Sequence, residues 1–380
     1  MNVSNITRVR SPEEEIMRKK FLVTATTMAM TLMTITGCGA SDASVKTTAD
    51  IAESTSSEED SVEPASEDTA SEEKTDDAEG GLYDGKVILG HSSWIGYAPL
   101  NVADELGLFE KHGVDVDIQS FESKSDSRAA LAAGRIQGMS TTVDTQVMSA
   151  AQGLDIQIVL AEDTSDGGDG LSAKSEFTDI PSLKGHTVAL DTSGGASYFW
   201  FQYLLKENDM TLDDVEAVNM SSGDAGAAFV AGEVDAAVTW EPWLSRAKEA
   251  EGGAVLVDSS ATPGIIVDAL AMDTKFAEQY PDTVKGIIEA WYDAVDLIKT
   301  NPDEAYPIMM NFTGDETVEA LEGELEGVTF YDRDGNKAYF GGDIQKIAGM
   351  AADLWVETGL IESAPDMDSM INDSFIDGLE

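Results

Sequence analysis

Apolar and polar positions along this chain follow two periods, and they alternate in a way that sets the fold class. Val87-Ile88-Leu89-Gly90 is a short apolar run of strand type, so folded sequence is expected from about Lys86. A helix-like segment from about Pro99 to Leu106 ends at Gly107. Val114 to Ile118 alternates as a half-buried strand does. Ala129 to Ala133 is a helical run stopped by Gly134, with a strand near Ile136 to Ser140. Ile156 to Leu160 and Leu171 to Lys174 read as further strands.

The same grammar returns about a hundred residues later. Gly85-Lys86-Val87-Ile88-Leu89 aligns with Gly185-His186-Thr187-Val188-Ala189-Leu190, and each strand enters a loop of small residues and then a helix. Ala130 to Ile136 aligns with Ala228 to Val234, both Ala-rich and both turning at a glycine, Gly134 and Gly232. Alternating strands and helices imply an α/β protein with largely parallel sheets. Two such units imply two similar lobes, whose loops after the strands line a cleft between them. Toward the end helical periodicity dominates. Thr283 to Lys299 and Ile344 to Thr358 are amphipathic, and Trp291 and Trp355 sit on their apolar stripes as core anchors.

The start of the chain has a different pattern. Arg18, Lys19 and Lys20 precede an uncharged stretch from Phe21 to Thr36, too short to span a bilayer comfortably but suited to a secretory signal. Ile35-Thr36-Gly37-Cys38 resembles a bacterial lipobox, in which the cysteine is lipidated and becomes the new N-terminus. Initiation at either Met1 or Met17 is compatible with this reading. From Ser41 to about Asp84 the chain is Ser, Thr, Ala, Asp and Glu with almost no large apolar residue, the composition of an extended acidic tether. The expected layout is a signal at 1–37, a lipid-anchored tether at 38–85, a first lobe at 86–174, a second at 175–265, and a return to the first lobe with terminal helices at 266–380.

Charge and rare residues then remove whole classes of function. With 23 basic against 72 acidic residues the formal net charge is −49, a field that repels phosphate backbones, so no nucleic-acid partner is expected. Cys38 is the single cysteine and the three histidines are scattered, so disulfides, cysteine-rich zinc sites and paired-histidine metal sites are not expected. No cofactor is implied.

Trp94-Ile95-Gly96-Tyr97-Ala98-Pro99-Leu100 and Ala103 to Val116 resemble the opening of the nitrate/sulfonate/taurine family of ABC solute-binding proteins. The similarity runs on through Ala129 to Gly134, Asp166-Gly167-Gly168-Asp169-Gly170, Leu183-Lys184-Gly185, and Ala231 to Trp243. This resemblance implies a two-lobed periplasmic-binding-protein fold of the second class. Its two crossings are expected near 171–175 and 265–270. It also implies a monomer outside the cell that delivers a small molecule to a separately encoded permease and ATPase, and no enzymatic activity.

Carried over by position, the resemblance places Ser93, Trp94, Tyr97, Thr142, Asp144 and Asp169 in the pocket from one side, and Ser193, Gly194, Trp240 and Glu241 from the other. No Lys or Arg lies in the five loops at 91–97, 140–146, 163–170, 191–197 and 239–243, whereas carboxylates and two indoles do. That inventory favours a planar cation or neutral ligand such as guanidinium, an amine or a heterocycle. The alternative is an oxyanion such as a sulfonate, taurine or nitrate, bound at backbone N–H groups near Ser193 and Gly194. A further alternative is an enzyme or binder related to pyrimidine-precursor synthesis with His91 as a base, although no lysine or second histidine accompanies it in those loops.

Overall fold

The computed structural model describes residues 81–121 and 123–377. The signal segment, Cys38 and all but the last few residues of the acidic tether lie outside the described residues. Eleven strands occur among the described residues. They are β1 (Lys86–His91), β2 (Asp115–Ser120), β3 (Gly138–Thr142), β4 (Ile156–Ser165), β5 (Asp169–Lys174), β6 (Thr187–Leu190), β7 (Glu216–Asn219), β8 (Ala236–Trp240), β9 (Gly253–Asp258), β10 (Val267–Asp273) and β11 (Val328–Phe330). The longer helices are α1 (Ala98–Glu105), α2 (Lys124–Ala132), α3 (Val143–Ala151), α4 (Ala196–Glu207), α5 (Ser222–Val230), α6 (Trp243–Glu249), α7 (Pro281–Thr300), α8 (Pro302–Thr313), α9 (Val318–Leu325) and α10 (Ile344–Glu357).

The strands form two sheets, one per lobe, in the orders β11-β4-β10-β3-β1-β2 and β7-β6-β8-β5-β9. Each sheet has the same nucleus. In the first, β1 lies parallel between β2 and β3; in the second, β6 lies parallel between β7 and β8. Each nucleus is then closed by an antiparallel strand that follows a crossing from the other lobe, β10 on β3 and β5 on β8. The doubled sequence grammar is thus a doubled topology, with β1 and β6 as the equivalent central strands. Parallel strands need helical crossovers, which explains why each apolar run feeds a helix.

The core is apolar where the periodicity places it. Trp291 on α7 and Trp355 on α10 are fully buried, and each indole N–H finds a carbonyl, Tyr331 at 3.0 Å and Asp144 at 2.9 Å. Their burial with a satisfied donor is the arrangement that makes tryptophan tolerable in a core.

Three boundaries differ from the sequence expectation. The body starts before Lys86, because Tyr83 packs against Phe276 and Tyr280 and its N–H donates to Thr283 Oγ1 at 2.7 Å. The first crossing is at 166–168, not 171–175, because Leu171 to Lys174 is the interior of β5 and already paired with β8 and β9. The second is at 259–266, since most of the 265–270 run is the start of β10. The second lobe therefore spans 169–258 in place of 175–265.

The two crossings are stitched together. Ser165 Oγ and Ser259 Oγ are 2.8 Å apart, and Gly167 N donates to Ser259 Oγ at 2.7 Å. A third segment joins them, because Gly327 O, just before β11, accepts from Asp166 N at 2.9 Å and Gly168 N at 3.0 Å. A Cβ on Gly168 would stand 2.6 Å from Trp94 Cη2 and 2.8 Å from that carbonyl, so only glycine fits.

Candidate ligand cavity

A cavity of about 300 Å³ opens between the two sheets. The first lobe supplies His91, Ser92, Ser93, Trp94 and Tyr97 after β1, Phe121, Lys124 and Ser127 after β2, and Ser140, Thr141 and Thr142 from the end of β3. Ile266 comes from the end of the second crossing and Asp268 from the returning strand β10. The second lobe supplies Asp169 from β5, Ala196 at the start of α4, Ser221 and Gly223 at the start of α5, and Trp240 at the end of β8. All six parallel strands thus deliver the cavity at their carboxyl ends or through the loop or helix start that follows, where open α/β sheets gather ligands.

Three helices begin at this cavity. Thr142 is the residue before α3, Gly195 the residue before α4 and Ser221 the residue before α5. The first turns of α3 and α4 have no side-chain cap from the residue that precedes them, which leaves their N–H groups available. Lys124 stands beside the start of α4. A Cβ on Gly195 would lie only 2.0 Å from Lys124 Nζ, and Gly195 itself has φ of 97°. Glycine at 195 thus serves both the turn and the approach of the cation.

The aromatic residues are held from behind. Trp94 Nε1 donates to Asp163 Oδ1 at 3.1 Å, and the Tyr97 hydroxyl donates to Asp268. His91 is neutral in character, because burial lowers its pKa. Its Nδ1 lies 2.6 Å from Ser92 O and its Nε2 lies 3.2 Å from Asn101 Nδ2, so the first donates and the second accepts. With both ring nitrogens engaged, His91 has no lone pair directed at a substrate. Burial also raises Asp169, to about 6, against the opposing pull of the Ser165 hydroxyl and the Lys124 charge.

Of the ten residues singled out from the sequence, the cavity wall contains Ser93, Trp94, Tyr97, Thr142, Asp169 and Trp240. Asp144, Ser193, Gly194 and Glu241 are not part of that wall. Asp144 is buried in the first turn of α3, 3.5 Å from the Thr145 hydroxyl. Ser193 turns back to Asp191, its N and Oγ at 3.0 and 2.6 Å from Oδ1. A Cβ on Gly194 would meet Met148. Glu241 accepts from Ser245 N and Oγ, both at 3.0 Å, and holds the start of α6.

The absence of basic residues expected for the pocket is also corrected, because Lys124 lines it. Lys124 follows β2 and lies outside the five loops at 91–97, 140–146, 163–170, 191–197 and 239–243. Ser127, Ser221, Gly223 and Asp268 were missed as well. The loops after β2 and β7 obey the same carboxyl-end rule as the others, and that rule would have found all of these except Asp268, which lies inside an antiparallel strand.

The family model described as the NMT1-like family matches residues 82–310. A putative aliphatic sulfonates-binding protein of Bacillus subtilis is 27% identical over 285 residues, which is 73% of this chain and 84% of that protein. A taurine-binding periplasmic protein of Escherichia coli is 26% identical over 54% of this chain and 64% of its own length. Among solved structures, the periplasmic aliphatic sulphonate-binding protein SsuA of Escherichia coli superimposes with a TM-score of 0.65 at 19% identity, covering 77% of this chain and 99% of that one.

Proposed function

We infer the function from one premise: the chain belongs to the NMT1-like family. It is the extracytoplasmic solute-binding component of an ABC importer, and its ligand is a small organic sulfonate. The observation that carries the ligand class is the convergence of three helix starts and Lys124 on one cavity. Helix N-termini offer directed N–H groups and a positive end of the dipole, and an ammonium adds a full charge. The hydroxyls of Ser93 and Thr142 add donors for the oxygens of a sulfonate. Names of relatives support the same class, since two of them are described by sulfonates or taurine. A bare guanidinium, the ligand favoured by the loop inventory, loses its main support once Lys124 enters the wall.

The partners follow from the role: a permease and an ATPase on separate chains, with a monomeric binding protein held at the membrane through lipid on Cys38. Nothing in the wall pairs a nucleophile with a free base, and a binding role is proposed in place of an enzymatic one.

Calorimetric titration tests the ligand class by comparing ethanesulfonate, taurine and nitrate with guanidinium. Sulfonates are expected to bind, and Lys124→Met is expected to weaken them about ten- to a hundredfold, the value of one hydrogen bond to a charged partner. Guanidinium binding with no response to any sulfonate would reverse the assignment.

A further inference from the structure

An oxyanion site is an odd place for buried carboxyl groups, yet Asp268 lines this cavity and is not alone. Asp268 on β10 stands directly opposite Asp163 on β4 in the antiparallel ladder. The ladder then skips a residue, with Ala269 opposite Ala161, so Glu162 is the extra residue of β4. Glu162 and Asp163 are completely buried and Asp268 is 3% exposed. Like charges directly opposed across a sheet are destabilising, and two ionised carboxylates at such a spot in a buried site do not coexist without a cation.

The partners of these carboxyls are neutral donors. Tyr97 donates to Asp268, Trp94 to Asp163, and Ser140 Oγ to Glu162 Oε1 at 2.7 Å. Asp163 Oδ2, fully buried, has no hydrogen-bond partner at all. The charged and titratable groups that bear on the pair are Glu162 from β4, Asp169 from β5, Asp144 from α3, Tyr97 before α1, Tyr331 and Tyr339 from the terminal segment, and Lys124 from α2. Lys124 is the single cation in that set, and it stands at the start of α4.

We propose that Asp163 and Asp268 share one proton before ligand binds, and that an ammonium group on the ligand displaces it. This rests on the sulfonate reading and narrows it to sulfonates that also carry an amine. One O–H bond breaks, the proton leaves to solvent, and the ammonium donates to Asp268, the carboxyl of the pair that lines the cavity. The pair becomes more negative by one charge as one positive charge arrives, so the buried site keeps its balance. Burial pushes both carboxyls upward from the ordinary range, with the Asp268 charge adding to it at Asp163 and the Asp169 and Asp144 charges adding to it at Asp268, which agrees with a proton held near neutral pH. A sulfonate without an amine leaves the proton where it is.

Calorimetry at about pH 6 in two buffers of different ionisation enthalpy counts the protons. Titration with 2-aminoethanesulfonate is expected to release about one proton per molecule bound, and ethanesulfonate close to none. The amine-bearing ligand is expected to bind more tightly by about tenfold or more. Equal proton counts for the two ligands overturn the shared proton while leaving sulfonate capture intact. If neither ligand binds, the sulfonate reading fails on its own, and the proton is then read without ligand. Chemical unfolding of the wild type should lose more stability between about pH 5 and pH 8 than Asp268→Asn does, and parallel curves overturn the proposal.

Discussion

Lys124 and Asp169 face the same cavity with opposite charges, and burial moves the carboxyl of Asp169 away from its ordinary range. Asp169 is 5% exposed, and burial lifts its pKa to about 6. A folded-state pKa above the unfolded value means that the folded protein holds the proton more tightly. The stability this confers is complete below about pH 4 and is lost as pH rises through about 6. Asp169→Asn is therefore expected to flatten the fall in unfolding free energy between those limits, by up to about 3 kcal/mol. Urea titrations of both proteins across that range measure it, and an unchanged pH profile would mean that Asp169 ionises freely. The same two residues show what was legible in advance. Asp169 could be read because it belongs to a run of matching residues, Asp166 to Gly170. Lys124 could not, because Ser123-Lys124-Ser125-Asp126 carries no mark of a binding loop until β2 places it at the cleft.

Among the elements, the strands at the centre of each lobe were the most legible, since β1 and β6 are short apolar runs that lead into loops of small residues. The antiparallel closers β5 and β10 read in sequence as strand-like runs that link the lobes, because a fully buried strand shows no alternation to tell a sheet member from a link. Pairing across a sheet is a long-range fact, and it is pairing that decides which lobe those strands join. This explains why Asp268, inside β10, escaped notice, as did the Asp163–Asp268 opposition. The crossing at 166–168 depends on close backbone contact, so Gly168→Ala is expected to destabilise the protein by about 1–3 kcal/mol. Its Cβ would meet the Gly327 carbonyl at 2.8 Å and the Trp94 ring at 2.6 Å. Chemical denaturation with the midpoint compared at constant slope gives the number. A neutral substitution would show that the crossing has room.

For the whole molecule, a net charge of −49 and the lipid proposed on Cys38 would act in opposite directions at a membrane. The first repels an anionic surface, so under this proposal hydrophobic insertion of the acyl chains would have to hold the protein there. Cys38→Ala expressed in a bacterium should move the protein from the membrane fraction to the soluble one. Retention at the membrane would assign the anchor to the signal segment instead. The sheet topology also orders events in time. Residues 169–258 supply every strand of the second sheet from one uninterrupted stretch. The first sheet does not have that property, because β10, which lies between β3 and β4, comes only after that stretch, and β11 later still. A chain lengthening from its N-terminus can complete its second lobe while the first still lacks a central strand. During that interval β3 and β4 are two open edges, and the lobe that begins first is the one that finishes last.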